Sequence, residues 1–209
     1  MYDSNLPEAY RAMGLSYFIW GKFEEASASS RKAIEPDPDD FIAYWTLGRI
    51  HFSSGELEES LDLFRRVIDI KPGFYAAYAD LAQTCMGLGR TAEADVASEQ
   101  LLALLPNYLL QNPDDSRARM YYAITLAERG RKEEAIREGA AALELSPGDP
   151  MMLYNCACLY ARLGETGRAV YTLRQAISGG YENFGWMKHD PDLNALREHP
   201  GFIAMVDGK

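Results

Sequence analysis

Five glycines, Gly21, Gly55, Gly89, Gly130 and Gly164, stand 34, 34, 41 and 34 residues apart and set a ruler for the whole chain. A fixed period of this length describes one helical hairpin copied and stacked, because a lone hairpin cannot bury its own apolar face. Five residues after each glycine comes a small side chain: Ala26, Ser60, Ala94, Ala135 and Ala169. Seven residues before each comes another: Gly14, Gly48, Ala82, Ala123 and Ala157. Small residues on both arms let two antiparallel helices approach closely, and the glycine between them supplies the turn. Such an array offers an extended surface on which another protein can be held.

The ruler predicts ten helices. The first hairpin runs from about Pro7 to Trp20 and from Phe23 to Glu35, the second from Phe41 to Ser54 and from Leu57 to Ile70. The links Glu35-Pro-Asp-Pro-Asp-Asp40 and Lys71-Pro-Gly73 are rich in breakers. Proline cannot continue a helix, and an adjacent Asp can cap the next N-terminus and match its dipole. The interval from Gly89 to Gly130 is seven residues too long, close to two helical turns. An insertion of that size keeps the apolar face on the same neighbour, so Thr91 to Gln111 reads as a lengthened second helix, bent or briefly broken near Pro106. The alternative ends it at Leu104 and makes Asn107 to Gln111 a separate short turn.

Composition narrows the class further. A chain of 209 residues can bury a sizeable core, and one continuous stack over residues 1–209 explains it better than two globular domains. No apolar run approaches the roughly 20 residues that span a bilayer. The start, Met1-Tyr-Asp-Ser-Asn-Leu-Pro7, lacks a basic stretch followed by an apolar one, so no secretory signal is read there. Cys85, Cys156 and Cys158 make no disulfide framework, which fits a reducing, cytoplasmic setting. A net charge of −10 argues against nucleic acid or an anionic membrane as partner.

The hairpin Tyr10-x-x-Met13-Gly14-x-x-Tyr17…Gly21-Lys-Phe23-x-x-Ala26…Ala33-x-x-x-x-Pro38 resembles the tetratricopeptide repeat (TPR). A second copy follows as Tyr44-x-x-Leu47-Gly48…Gly55-Glu-Leu57-x-x-Ser60…Phe64…Pro72, and three more match with more substitutions. Ser30 and Gly139 depart from the family's usual large residue, and Tyr181 stands where a sixth in-phase proline would fall. The resemblance implies an all-α, right-handed α-solenoid of five TPR hairpins, at about 7–40, 41–74, 75–115, 116–149 and 150–181. A helical cap over 182–209 closes it. This tail resembles segments that close TPR arrays in bacterial multidomain signalling proteins such as some cyclases and kinases. Tyr181, Phe184, Trp186, Leu193, Leu196, Phe202 and Ile203 are expected to cover the last repeat's open flank, with Asp190 or Asp192 capping a short helix and Pro200 opening another.

In a TPR superhelix the first (A) helix of each repeat lines the concave wall, where family members bind an extended peptide or a helix. By that resemblance the wall carries Arg11 and Phe18, then Trp45, Arg49 and Phe52, then Gln83 and Met86. The fourth and fifth repeats add Arg117 and Met120, then Tyr154 and Arg162. An aromatic–arginine cluster around Trp45 and Arg49 has the composition of a binding hot spot. The arginines could also form a looser cationic stripe. The clamp by which TPR cochaperones hold a chaperone's acidic C-terminus is not reproduced: of Arg11, Leu15, Thr46, Ala76 and Asp80, only Arg11 fits.

An enzyme has little to stand on. His51, His189 and His199 are scattered, with no nucleophile pattern beside them. Cys156 and Cys158 lie two apart, and no second pair completes a zinc site. The acidic runs before the A helices lack a calcium loop's spacing. The expectation is therefore a non-catalytic protein-interaction scaffold without cofactor or metal. Because the repeats start almost at residue 1, it is expected to be the docking end of a longer signalling protein. Self-association through the groove or the first hairpin's open flank is the alternative.

Overall fold

The computed structural model describes residues 6–206. Met1 to Asn5, most of the segment in which no secretory pattern is read, and the last three residues of the expected cap lie outside the described residues. The fold is all-α, with no strand among the described residues. None of these helices is long and apolar enough to cross a membrane.

The chain divides into two compact units. The first runs to Ala94 and includes Glu182–His189; the second holds Asp95–Tyr181 and continues from Asp190. The first contains α1 (Pro7–Ile19), α2 (Phe23–Ile34), α3 (Phe41–Ser54), α4 (Leu57–Ile70), α5 (Tyr75–Gly87) and the start of α6 (Thr91–Gln111). Hairpins α1–α2 and α3–α4 stack through α2 on α3 and α4 on α5, and α1, α3 and α5 run side by side. The ruler glycines all make left-handed turns, with φ of 81° at Gly55 and 69–77° at the other four. Both series of small residues are buried. At Gly48 a Cβ would come within 2.6 Å of the Phe64 ring, and at Gly14 within 2.6 Å of the Ser30 hydroxyl. That second contact explains Ser30: a large residue there would hold α1 and α2 apart.

The second unit holds the rest of α6, then α7 (Ser116–Glu128), α8 (Lys132–Leu145), α9 (Pro150–Arg162) and α10 (Thr166–Ser178). α7 pairs with α8, α9 with α10, and α7 lies against α9. Gly139 is accounted for by Leu159, whose side chain takes the place a Cβ would fill. α6 is continuous through Pro106 and has 21 residues against 14 in α4 and α8, so the two extra turns prolong the helix. The break at Leu104 does not occur. Ala97, Leu101, Leu105 and Leu109 stay buried on one face on either side of the proline, which itself is exposed. Packing on that stripe holds the helix despite the hydrogen bond that proline cannot donate.

Aspartates start three of the A helices. Asp40 accepts from the Ala43 N–H at 3.0 Å, Asp115 from Ala118 at 2.9 Å and Asp149 from Met152 at 2.7 Å. Phe74, ahead of α5, makes no such bond and instead packs its ring on Phe41 and Trp45, at 5.1 and 5.3 Å between centroids.

The tail forms α11 (Phe184–His189), a 3₁₀ helix (Pro191–Leu196) opened by the Asp190 cap, and α12 (Pro200–Val206). It covers the last repeat in part: the 3₁₀ helix lies on α9 and α10, α12 lies on α10, and Leu193, Leu196 and Phe202 are buried. The expectation fails at Ile203 and at the two aromatic residues of α11, Phe184 and Trp186. Ile203 is exposed, and Trp186 is carried by α11 onto α3, where Phe52 offers a ring to pack on.

Gly48→Ala should lower stability by about 1–3 kcal/mol in urea unfolding, the usual result of overpacking a close contact. Gly73→Ala, where a Cβ meets nothing within 4 Å, should be near neutral.

Candidate functional site

Trp45, Arg49 and Phe52 recur at helical spacing and share one face of α3. The Arg49 guanidinium carbon lies 4.9 Å from the Trp45 ring centre, 4.8 Å from that of Phe18 and 4.7 Å from that of Trp186. Asp80, fully buried on α5, accepts a hydrogen bond from the Trp45 indole N–H at 2.6 Å and stands 3.9 Å from Arg49 Nε. Arg49 is only 7% exposed, so one carboxylate and three π faces replace its water.

α11 completes this wall in the first unit. The Trp186 ring lies 4.2 Å from Phe52 and is buried. Asn183 caps the turn by accepting from the Trp186 N–H at 2.9 Å. Gly185 sits so close that a Cβ on it would fall 2.5 Å from the Ser53 carbonyl oxygen, and the His189 ring lies over the Gly55 turn. Of the other expected wall residues here, Arg11 pairs with Asp40 at 3.4 Å and Gln83 is half-buried. Met86 packs into the apolar cluster of Leu61, Cys85 and Ala94.

In the second unit Arg117 is exposed and Met120 is fully buried. Tyr154 stacks on Tyr181 at 4.3 Å with the rings nearly parallel, and its hydroxyl donates to Asp190 Oδ2 at 2.6 Å. Asp190 Oδ1 accepts from the Asp192 N–H at 2.9 Å, and its backbone carbonyl accepts from Arg197 at 2.7 Å. Arg162 binds Asp192 at 2.6 Å and Glu128 at 2.9 Å, and Glu128 accepts from Ser98 at 3.2 Å. Arg11, Arg49 and Arg162 each face an internal carboxylate, Asp40, Asp80 and Asp192 respectively.

Burial, reinforced by the Asp192 carboxylate, pushes Asp190 up to about 7. The same two causes raise Glu128 to about 7, against the opposing pull of Arg162. Burial also raises the Tyr154 hydroxyl and the Cys158 thiol, with the Asp190 charge adding to both. Cys158, Asp190 and Asp192 offer ligand atoms within 4.8 Å of one another. They do not fit a metal. Asp190 is engaged as a cap and by Tyr154, and the Arg162 guanidinium already supplies the positive charge beside Asp192. His51 pairs with Glu56 at 2.6 Å, and all three cysteines are free and buried.

The structure thus gathers Phe18, Trp45, Arg49 and Phe52 into one cluster. The sequence reading missed Asp80 and Trp186 as its further members, and Asp190 and Asp192 as the partners of Tyr154 and Arg162.

The repeat has its counterpart among known proteins. A tetratricopeptide repeat family model matches residues 11–73 and 80–150, and a second covers 51–108. The chain belongs to the tetratricopeptide repeat family. TTC0263, a thermophilic TPR protein of Thermus thermophilus, aligns over 91% of this chain and 98% of that one at 19% identity, with a TM-score of 0.61. That likeness establishes a common TPR solenoid fold. YrrB, described as a TPR protein with an unusual peptide-binding site, aligns over 89% of this chain and 92% of its own at 22% identity. Its TM-score of 0.45 is too low for a comparison of sites. A chloroplastic protein of Arabidopsis thaliana is 29% identical over 86 residues, 40% of this chain and 26% of that protein. The TPR chain thus matches about a quarter of that relative's length.

A carboxyl whose folded pKa is raised holds its proton longer in the folded state, so stability falls as pH rises from the unfolded value near 4 toward 7, then levels off. The melting temperature of the wild type should therefore fall between pH 5 and pH 7.5. Asp190→Asn, which keeps the capping oxygen and cannot ionise, should flatten that slope in calorimetry at the two pH values.

Proposed function

We propose that this TPR chain is a non-catalytic scaffold that holds a partner peptide or helix along the wall of its A helices, as the docking part of a larger signalling assembly. One observation carries the reading: a short helix, α11, already lies on α3 with its tryptophan buried among Phe52, Arg49 and the neighbouring rings. A surface that accepts one helical turn so closely has the shape and chemistry to take a helical ligand. The wall joins buried aromatic rings to an arginine, the composition that dominates binding hot spots. The partner-contact residues we assign are Arg11, Phe18, Trp45, Arg49, Phe52, Gln83 and Met86 in the first unit. In the second unit Arg117, which is exposed, and Arg162 are their counterparts, while Met120 and Tyr154 are enclosed by the fold and are not assigned. The family's general role as a protein-interaction scaffold agrees with this.

A second reading, self-association, is favoured by α1. Met13 and Trp20 are 43% and 61% exposed on its outer side, whereas Leu47, one period after Met13, is 4% exposed beneath the preceding hairpin. α1 lacks that cover among the described residues, and a second copy would supply it.

Peptides selected from a random library should protect α1, α3 and α5 from hydrogen exchange more than α2 and α4, and should bind at least about tenfold more weakly to Arg49→Ala, as expected for a hot-spot residue. Protection confined to α2 and α4 would overturn the scaffold reading. A monomeric mass by light scattering across a concentration series, unchanged in Trp20→Ser, would overturn self-association.

A further inference from the structure

The groove proposed above is not empty in the folded chain, and what fills it defines what it selects. Two features of α11 make the contact. Gly185 meets the Ser53 carbonyl oxygen so closely that a Cβ would stand 2.5 Å from it. The next residue, Trp186, lays its ring 4.2 Å from Phe52 with the Arg49 guanidinium 4.7 Å from its centre. The first contact admits only a residue without a side chain. The second demands a flat, electron-rich ring that can face a cation. The helix that carries these two residues has six residues in all, far below the length at which a helix is stable by itself, so its order comes from the surface that receives it.

We propose that Glu182–His189 is an internal ligand of the α3 wall, and that the external partner is a peptide presenting glycine followed by an aromatic residue on a helical turn, which must displace this segment to bind. The inference rests on the scaffold reading and adds the partner's chemistry and a built-in competitor. The groove reads the dipeptide twice: through a steric filter at Ser53, and through the rings and guanidinium of Phe52 and Arg49. Asp80 keeps that reader in place, because it holds the Trp45 indole and lies beside Arg49 on the side away from solvent. A tethered segment competes at a high effective concentration, so the intact chain binds the free peptide weakly until the segment is released.

The test uses the full chain and a fluorescent peptide with the sequence of residues 182–189. Gly185→Ala drives a methyl group toward Ser53 and leaves every groove residue intact, so it should expel α11 and bind the peptide at least about tenfold tighter than wild type. The same peptide with its tryptophan replaced by alanine should not bind. Equal affinity of wild type and Gly185→Ala, with circular dichroism showing both folded, would overturn the proposal, as would equal binding of the alanine peptide. Should Gly185→Ala not fold, hydrogen exchange on the wild type decides: excess free peptide should speed exchange of the Trp186–His189 amides, and an unchanged rate would overturn the proposal. A library-selected peptide that protects α3 without loosening α11 would leave the scaffold reading standing and remove only the internal ligand. Failure of every peptide to bind folded Gly185→Ala would remove both.

Discussion

Each hairpin depends on two helices meeting where one of them carries almost no side chain. Gly48 lets the Phe64 ring lie on the α3 backbone and Gly14 admits Ser30, while between neighbouring hairpins Gly139 of α8 admits Leu159 of α9. Because protein interiors are packed to the density of crystals, the volume missing on one arm is filled by the other, and the hairpin angle follows from the pair. That contact also orients the rest. With the glycine and alanine face of each A helix committed to its own B helix, the other faces of α1, α3 and α5 turn to their neighbours and to the wall. Trp45, Arg49 and Phe52 stand together there because one side of α3 is already used.

This explains which parts of the fold are legible in the sequence. The turns are legible because a left-handed residue between two helices is nearly always glycine, so Gly21 to Gly164 mark them directly. The starts of α3, α7 and α9 are legible because Asp40, Asp115 and Asp149 act on backbone three residues away. The length of α6 is legible because seven residues make about two turns. Its continuity through Pro106 is not, because that depends on Leu105 and Leu109 being buried while the proline faces out, a property of the neighbours.

The site is legible only on one side. Helical spacing places Trp45, Arg49 and Phe52 on a common face, but says nothing of what meets them. Asp80 reads in sequence only as a residue that does not fit the chaperone clamp; in the structure it is the acceptor for Trp45 and the counter-ion near Arg49. Trp186 reads as cover for the final repeat. It packs instead on a helix far earlier in the chain, and no local pattern records a contact made over that separation. The two units also hold their buried charges differently. Arg49 is enclosed by one carboxylate and three rings, whereas Asp190 and Glu128 are carboxyls that burial and the Asp192 charge push up to about 7, so the tail's hold on α9 varies with pH.

A wall that carries its own tethered segment behaves differently from an open groove. Binding of an outside peptide then requires the segment to leave, and the apparent affinity is the intrinsic one multiplied by the fraction of chains in which it has left. If the docked state is favoured by about a hundred to one, the partner binds about a hundredfold more weakly than the bare wall would allow. Specificity benefits in turn, since a ligand that fails the test at Ser53 or offers no ring to Phe52 and Arg49 cannot compete with one that the chain supplies itself. The burial of Arg49 fits this logic. A guanidinium left facing water would attract any acidic peptide, but one enclosed by Phe18, Trp45 and Trp186 is uncovered only for a ligand that brings a ring to replace the tryptophan.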